Sequence, residues 1–433
     1  MALLAERHDP LAALRQRNFL LFSGARVAST MAAQMLTAAV FWQVYEITES
    51  ASWLAAVGLV RLIPHLMTGL IAGAVADRYN RRRVMMISQS IQLTAMASLA
   101  AVTLAGNDSV WPIFGCVFVI ALAGAFEWPA RQALLPMLVT PETFPNAIIV
   151  SGTVQQAAFV TGPAVGAALI GISGVGLAYS TVAVLVVCSI LLVTTLHPRE
   201  GDAPKRAVSV SAIKEGVRFV FHRQPVLGSM TLDMFAVIFG GATALLPIYA
   251  KEILDVGAIG YGLLFAAVDA GSLLMSVVVI FMPPIQRVGR ALLWAVLGFG
   301  LATMVFGLSR WFPLSLAALF AVGACDQISV VMRQTTIQLA TPDELRGRVT
   351  AVNMLFIGTS NQLGQVESGL MAALTNATFA VVSGGAGCLA VAGIVAAKMP
   401  ELRRYRLQPA PGLHERELEA GATEELASAA GGS

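Results

Sequence analysis

Charge is scarce in this chain. Only 12% of its 433 residues are Asp, Glu, Lys or Arg, and 57% are hydrophobic; soluble domains carry roughly 25% charged residues. Mean hydropathy is +0.74. A water-soluble core of this length needs far less apolar surface, so lipid is the solvent for most of the chain. The net charge of +3 gives no reason to expect nucleic acid. Cysteine is scarce as well. Cys116, Cys188, Cys325 and Cys388 each lie inside an apolar run, with no CxxC or Cys/His grouping. That leaves no metal or redox motif and makes them small apolar fillers. The five histidines are scattered and no nucleophile–base constellation stands out, so an enzyme is not expected. No GxxxxGKS/T loop occurs, which argues against direct use of ATP, and no cofactor is expected. The opening "MALLAERHDPLAALRQRN" shows no cleavage site before the first apolar run, the pattern of an uncleaved first membrane helix.

What is present is a succession of apolar runs. A membrane helix needs about 20 mostly apolar residues. Twelve such runs are expected, at 19–45, 52–76, 84–105, 111–138, 146–171, 175–196, 226–249, 260–282, 291–309, 312–336, 349–373 and 377–398. Turn and polar signals separate them, such as "AGNDS", "TPETFPN" and "SGVG". The widest break, 197–225, divides the runs six and six and holds a candidate amphipathic helix, "VSAIKEGVRFVFHRQ". The expected organisation is an N-terminal segment (1–18), a six-helix bundle (19–196), a linker (197–225), a second six-helix bundle (226–398) and a tail (399–433). The tail has too few large apolar residues to pack and is expected to be disordered.

Basic residues are unevenly spread. With the N-terminus placed inside, the inside segments hold Arg7, Arg15, Arg17, the cluster Arg78, Arg81, Arg82 and Arg83, then Arg131 and the basic residues of the linker. Arg287, Arg290, Arg333, Arg346, Arg348 and Lys398 follow, while the outside keeps only Lys251 and Arg310. Lys and Arg collect in cytoplasmic loops, so both termini are expected in the cytoplasm.

Ionisable groups within membrane spans cost about 2.5–3.5 kcal/mol each on insertion scales. This chain has Arg26, Arg61, His65, Glu127, Asp233, Asp269, Asp326 and Glu367 in its apolar runs. Their number argues against a passive anchor and for a cavity or mutual pairing. Glu127 and Arg131 are four apart, which puts them on one helix face as an intrahelical pair. Asp269 falls near mid-depth, ~14 Å from the outer end of its run at 1.5 Å per residue. A carboxylate there is expensive unless paired or protonated, so it is a proton-site candidate, with Asp326 and Glu367 as competitors. Glu367 sits in "ESG", where small neighbours permit close helix packing and a structural hydrogen bond is the stronger reading. His65 next to Pro64 reads as a packing group at a kink rather than a relay. The tryptophans read mainly as interfacial anchors. Phe126 and Trp128 lie deeper, where core packing is the default and contact with a flat ligand the alternative.

The two halves repeat. "PARQALLPMLVTPETFPNAIIVSGTVQQ" from Pro129 resembles "VMRQTTIQLATPDELRGRVTAVNMLFIG" from Val331, with Arg131-Gln132 matching Arg333-Gln334. Arg26 and Asp233 fall at equivalent places in the first helix of each half. An ion pair between them across the pseudo-twofold axis is one reading, and pairing of each within its own half is the other. Two related six-helix halves are a known transporter plan with a midplane site between them.

These motifs match a family. "GAVADRYNRRRVM" is similar to the loop signature of the major facilitator superfamily, roughly G-x-L-A-D-R-x-G-R-R/K, through Gly73, Asp77, Arg78, Arg81 and Arg82. Asn80 stands where Gly is usual, and Asn also tolerates positive φ. "GPAVGA" resembles the end of the helix-five antiporter signature through Gly162, Pro163 and Gly166, with Ala167 in place of the final glycine. "RNFLLFSGARVAS", "WPARQALLPMLV", "TPDELRGRVTAVN" and "SNQLGQVESG" resemble the enterobactin-exporter (transmembrane secretion effector) branch.

The resemblance implies an all-α membrane protein of twelve helices in two pseudo-symmetric bundles that alternate between outward-open and inward-open states. It implies that Asp77 faces the helix beginning near Val349 as a cytoplasmic latch, and that helix four lines the cavity, where Glu127 and Arg131 could meet substrate. It points to a proton antiporter in the inner membrane, monomeric and surrounded by lipid, exporting a siderophore or drug-like molecule. A metabolite importer or uniporter remains an alternative, as does a non-transporting receptor or scaffold.

Overall fold

The computed structural model describes residues 12–198, 210–283 and 285–405, leaving aside a few side chains, Asp77, Asp343 and Glu344 among them. The described residues contain no strand. The first half contains α1 (Arg17–Thr48), α2 (Ala51–Arg78), α3 (Arg81–Leu104), α4 (Val110–Leu134), α5 (Phe144–Ser173) and α6 (Val175–Thr194). After the linker helix α7 (Val210–His222) come α8 (Gln224–Phe239), which continues as broken helical turns to Ile253, and α9 (Gly257–Phe281). Then follow α10 (Val288–Leu308), α11 (Phe312–Ala340), α12 (Asp343–Leu374), α13 (Ala377–Lys398) and the short α14 (Pro400–Arg404).

Packing repeats between the halves. α1 lies against α5 and α6, α3 against α4 and α6, and α2 against α4. The same pairings recur as α8 with α12 and α13, α10 with α11 and α13, and α9 with α11. The bundles meet along two symmetry-related seams, α2 with α12 and α5 with α9. Registers agree too: Arg26 lies nine residues after Arg17 at the start of α1, and Asp233 nine after Gln224 at the start of α8.

The end where α1 begins, called proximal here, differs from the distal end in how the core is built. At the distal end one apolar cluster runs through both bundles, from Met35, Phe41 and Tyr45 to Tyr249, Tyr261 and Phe306. At the proximal end the first bundle keeps its own cluster around Phe19, Phe22, Met85 and Leu134. The second bundle keeps another, around Leu232, Leu292, Phe299 and Leu402. The bundles are therefore welded distally and parted proximally.

Among the described residues eleven helices are long and apolar enough to cross a membrane. The twelfth expected run, 349–373, lies in α12. That helix is 32 residues long but carries Asn353, Asn361, Gln362, Gln365 and Glu367, and it packs between α2, α8 and α13. Its polarity is tolerable because bundle partners, not lipid, cover much of it.

Four expectations are corrected locally. Asn80 has φ −61° and acts as N-cap of α3, its side chain accepting from the Arg83 N–H; the turn needs no positive φ there. α12 begins at Asp343, not near Val349, which is buried against Val220 and Ile337. Residues 400–404, placed in the disordered tail, form α14 because fully buried Leu402 packs into the second bundle; the tail beyond 405 lies outside the described residues. Trp42 is not an interfacial anchor: it is buried and packs against Tyr261 in a tilted pair, ring centroids 5.4 Å apart. Trp111, Trp294 and Trp311 are exposed as anchors should be.

Candidate functional site

A cavity of about 810 Å³ lies between α1, α2, α3, α4 and α12, within the size range of small-molecule sites. Its walls are mostly apolar, with Leu36, Val40, Met96 and Ile120 among them. Polar groups converge from Arg61, His65, Gln92, Gln132 and Gln362. Trp128 lines it and is 46% exposed. The lining runs from mid-helix positions to Gly73 and Gly347 near the proximal ends of α2 and α12, so the cavity extends into the proximal parting.

The distal side is closed by polar ties between bundles. The Tyr45 hydroxyl donates to Glu252, and Lys251 pairs with Glu49 at 3.3 Å while lying over the Tyr45 ring. The Tyr261 hydroxyl donates to the Ala38 carbonyl at 3.0 Å. None of these partners was expected from sequence. Lys251 and Arg310 do lie at this end as basic outliers, Arg310 donating to Thr378 at 3.0 Å.

The proximal charges are engaged within their own bundles. The Arg26 guanidinium donates to Ser151 at 2.6 Å and to Gln155. Asp233 pairs with Arg333 at 3.2 Å, and Arg333 also donates to Asn353 at 2.9 Å. The structure does not bring Arg26 and Asp233 together. With the bundles parted, each meets a polar group on a neighbouring helix of its own half. Arg131 pairs with Glu127, as the spacing predicts. Glu127 further accepts from Gln89 at 2.9 Å and from Gln92 at 2.7 Å. Gln92, unlike Glu127 and Arg131, lines the cavity. The carboxylate therefore sits behind the wall, one side chain from a ligand. Phe126 packs into the first bundle's proximal core, whereas Trp128, two positions on, lines the cavity.

Asp269 on α9 and Asp326 on α11 are part-buried and carry no hydrogen bond or ion pair among the described residues. Glu367 on α12 accepts from Ser368 at 3.3 Å, and nearby Gly369 lies directly against Ala55 of α2, the close packing its small neighbours suggested. His65 lies against Gly358 of α12, where a Cβ would meet its Nε2 at 2.0 Å.

The loop residues hold structure as well as charge. Arg82 donates to the Val193 carbonyl at 3.1 Å and to the Thr194 carbonyl, satisfying free carbonyls at the end of α6. Arg81 reaches the Met137 sulfur at 2.9 Å. Gly73 lines the cavity and Arg78 is exposed at the end of α2; the Asp77 side chain lies outside the described residues. On α5, a Cβ at Gly162 would sit 2.7 Å from the Gln34 Cβ, and one at Gly166 3.2 Å from the Met35 Cα. Both glycines let α5 press on α1. Pro163 and Ala167 meet the other bundle instead: a Cβ at Gly262 of α9 would lie 2.2 Å from the Ala167 Cβ and 3.2 Å from the Pro163 carbonyl oxygen. The glycine missing at position 167 is supplied by α9.

Residues 8–426 match the model of the transmembrane secretion effector family. The chain belongs to this family of major facilitator transporters. A multidrug efflux pump, Tap, of Mycolicibacterium fortuitum is 29% identical over 387 residues, covering 86% of this chain and 92% of that protein. The enterobactin exporter EntS of Shigella boydii is 23% identical, covering 89% and 92%. Among solved structures, a peptide transporter POT superposes with TM-score 0.72 at 12% identity, covering 90% of this chain and 95% of that one. A bacterial homologue of the lysosomal transporter Spinster, inward-facing and unoccupied, gives TM-score 0.66 at 14% identity, covering 91% and 99%. These share the fold. The family's two-bundle plan accounts for the paired seams and for a cavity at their junction.

Proposed function

We propose that this chain is a secondary transporter that exports a small organic molecule, siderophore or drug-like, across the cytoplasmic membrane in exchange for protons. The observation that carries the reading is the asymmetry of the core: one apolar cluster joins the bundles distally, two separate clusters divide them proximally, and the cavity opens into the division. A site reachable from one end only is what alternating access requires. The excess of Lys and Arg at the proximal end supports placing that end and both termini in the cytoplasm. The efflux pumps among the relatives support the outward direction.

Proton coupling is assigned to Asp269 and Asp326, intramembrane carboxylates that feel each other's charge and carry no described hydrogen bond, Asp326 also lying within reach of the Asp233–Arg333 pair, with Glu367 as the third candidate. In the proximally closed state Arg26, held here only by neutral groups, joins Asp233 across the axis as an inner gate. The loop formed by Gly73, Asp77, Arg78, Arg81 and Arg82 braces that state. Its aspartate has less to gain from the start of α12 than a bare helix N-terminus offers, because Asp343 and Glu344 already stand there; of the neighbouring arginines, Arg348 is paired with Glu215 and Arg346 donates to the Gln338 carbonyl, so a contact with Asp77 would be made in exchange for or beside these. The protein works as a monomer in lipid.

Reconstitution into proteoliposomes tests the reading. A pH gradient should drive accumulation of a transported dye or siderophore, and an uncoupler should abolish it. Equilibration indifferent to the gradient would establish a uniporter and overturn antiport.

A further inference from the structure

We infer that the cavity selects organic anions, with Arg61 as the residue that binds the anionic group; this rests on the transport reading and names its substrate class. The argument begins from charge. Arginine stays protonated in proteins, and its planar fork offers five N–H donors. Among the described lining residues Arg61 is the sole Lys or Arg, and there is no Asp or Glu.

The other arginines within the spans each have at least one close described partner. Arg131 has Glu127, Arg333 has Asp233 and Asn353, and Arg26 has Ser151 and Gln155. Arg61 has a single described contact, from Nη2 to the Thr37 hydroxyl at a long 3.3 Å. That hydroxyl accepts from Arg61 while donating its own proton to the Ala33 carbonyl at 2.9 Å, and no other N–H of the guanidinium has a described partner. Most of the fork therefore faces the cavity unspent, in surroundings where an uncompensated charge is costly. A carboxylate fits two parallel N–H donors of such a fork.

The rest of the wall describes the rest of the molecule. Leu36, Val40 and Met96 suit an apolar body, Trp128 offers an aromatic face, and Gln92 and Gln132 can donate to further oxygens. A cationic drug finds no carboxylate among the described lining residues, since Glu127 is turned to Arg131, Gln89 and Gln92. The ligand is thus an organic anion, carboxylate-bearing, with an apolar or aromatic frame.

The experiment uses the purified full-length chain in nanodiscs and two dyes built on one xanthene frame: anionic fluorescein and cationic rhodamine 6G. Binding is read by fluorescence anisotropy at equilibrium. Wild type should bind fluorescein about tenfold or more tightly than rhodamine 6G, the scale of a charge-assisted contact. Arg61→Gln should weaken fluorescein by about tenfold while leaving rhodamine 6G within about twofold, and Arg61→Lys should fall between. Equal or tighter binding of rhodamine 6G by wild type overturns the proposal, as does absence of fluorescein binding or an Arg61→Gln protein that binds fluorescein unchanged. The wild-type comparison stands even if Arg61→Gln fails to fold. Anion-selective binding without gradient-driven transport would sink the export reading and leave the anion site intact.

Discussion

Tyr45 and Glu252 tie the two bundles together at their distal end, the phenol of α1 donating to a carboxylate in the turns that follow α8. Around this tie lie the Lys251–Glu49 pair and the Tyr261–Ala38 hydrogen bond. Together they are the polar part of a distal closure that, on the proposed alternating-access reading, breaks once in every cycle. A hydrogen bond to a charged group contributes about 1.5–3 kcal/mol, a size suited to a gate that has to open. Tyr45→Phe should shift the population toward a distally open state by about tenfold or more. The check is the alkylation rate of a cysteine placed at Ala38, which should rise in Tyr45→Phe.

Gly262 and Ala167 make a second prediction. Gly262→Ala sets one Cβ against another across the α5–α9 seam. Overpacking of this kind costs about 1–3 kcal/mol, and here it falls on the contact between bundles. Thermal stability should drop, and the double variant Gly262→Ala with Ala167→Gly should recover most of it. Equal losses in the single and double variants would mean that the seam does not pack this way.

Asp233 and Arg333 predict a sharper loss. Removing one partner of a buried pair leaves an uncompensated charge and costs about 3–5 kcal/mol. Asp233→Asn should therefore melt well below wild type, and Arg26→Gln less so, because the partners of Arg26 are neutral. The exchange Asp233→Arg with Arg333→Asp should restore stability. The inner gate has its own test: Arg26→Asp with Asp233→Arg should retain some transport that both single variants lose.

Asp269→Asn and Asp326→Asn test coupling. Each removes a proton-binding oxygen pair without changing side-chain size. If one of them carries the proton, that variant should still bind and equilibrate substrate but lose accumulation driven by a pH gradient. Gradient-driven accumulation surviving in both, and in Glu367→Gln, would rule out coupling through these carboxylates.

How much of this was legible in the residues varied with the kind of interaction. Period and polarity gave the spans, because each helix must satisfy its own backbone in lipid. The repeat placed Arg26 and Asp233 in register to the residue. Partner choice was not legible. Arg131 could be matched to Glu127 because both lie on one helix, whereas Arg333 reaches Asp233 and Asn353 across helices whose facing sides no single segment encodes. The equivalence of Arg131 with Arg333 was a signal that could have led there. The same holds for Ala167: its departure from the motif looks like a loss until Gly262, nearly a hundred residues on, is seen opposite. The distal closure left no trace, since Tyr45 and Glu252 are ordinary residues at helix ends. Arg61 stood out as a charge in an apolar run, but that it has no carboxylate partner among the described residues is a fact of three dimensions.

The account turns on one motion, a rocking of the bundles that closes the proximal end as the distal end opens. Spin labels at two pairs of exposed sites measure it directly: Pro145 with Gln338 proximally, and Glu46 with Leu374 distally, in a background with the four cysteines replaced. Pulsed electron resonance should show the proximal distance shortening and the distal one lengthening in the same fraction of molecules as pH or ligand is varied. Distances that stay fixed at both ends across all those conditions, in protein that still transports, would contradict it.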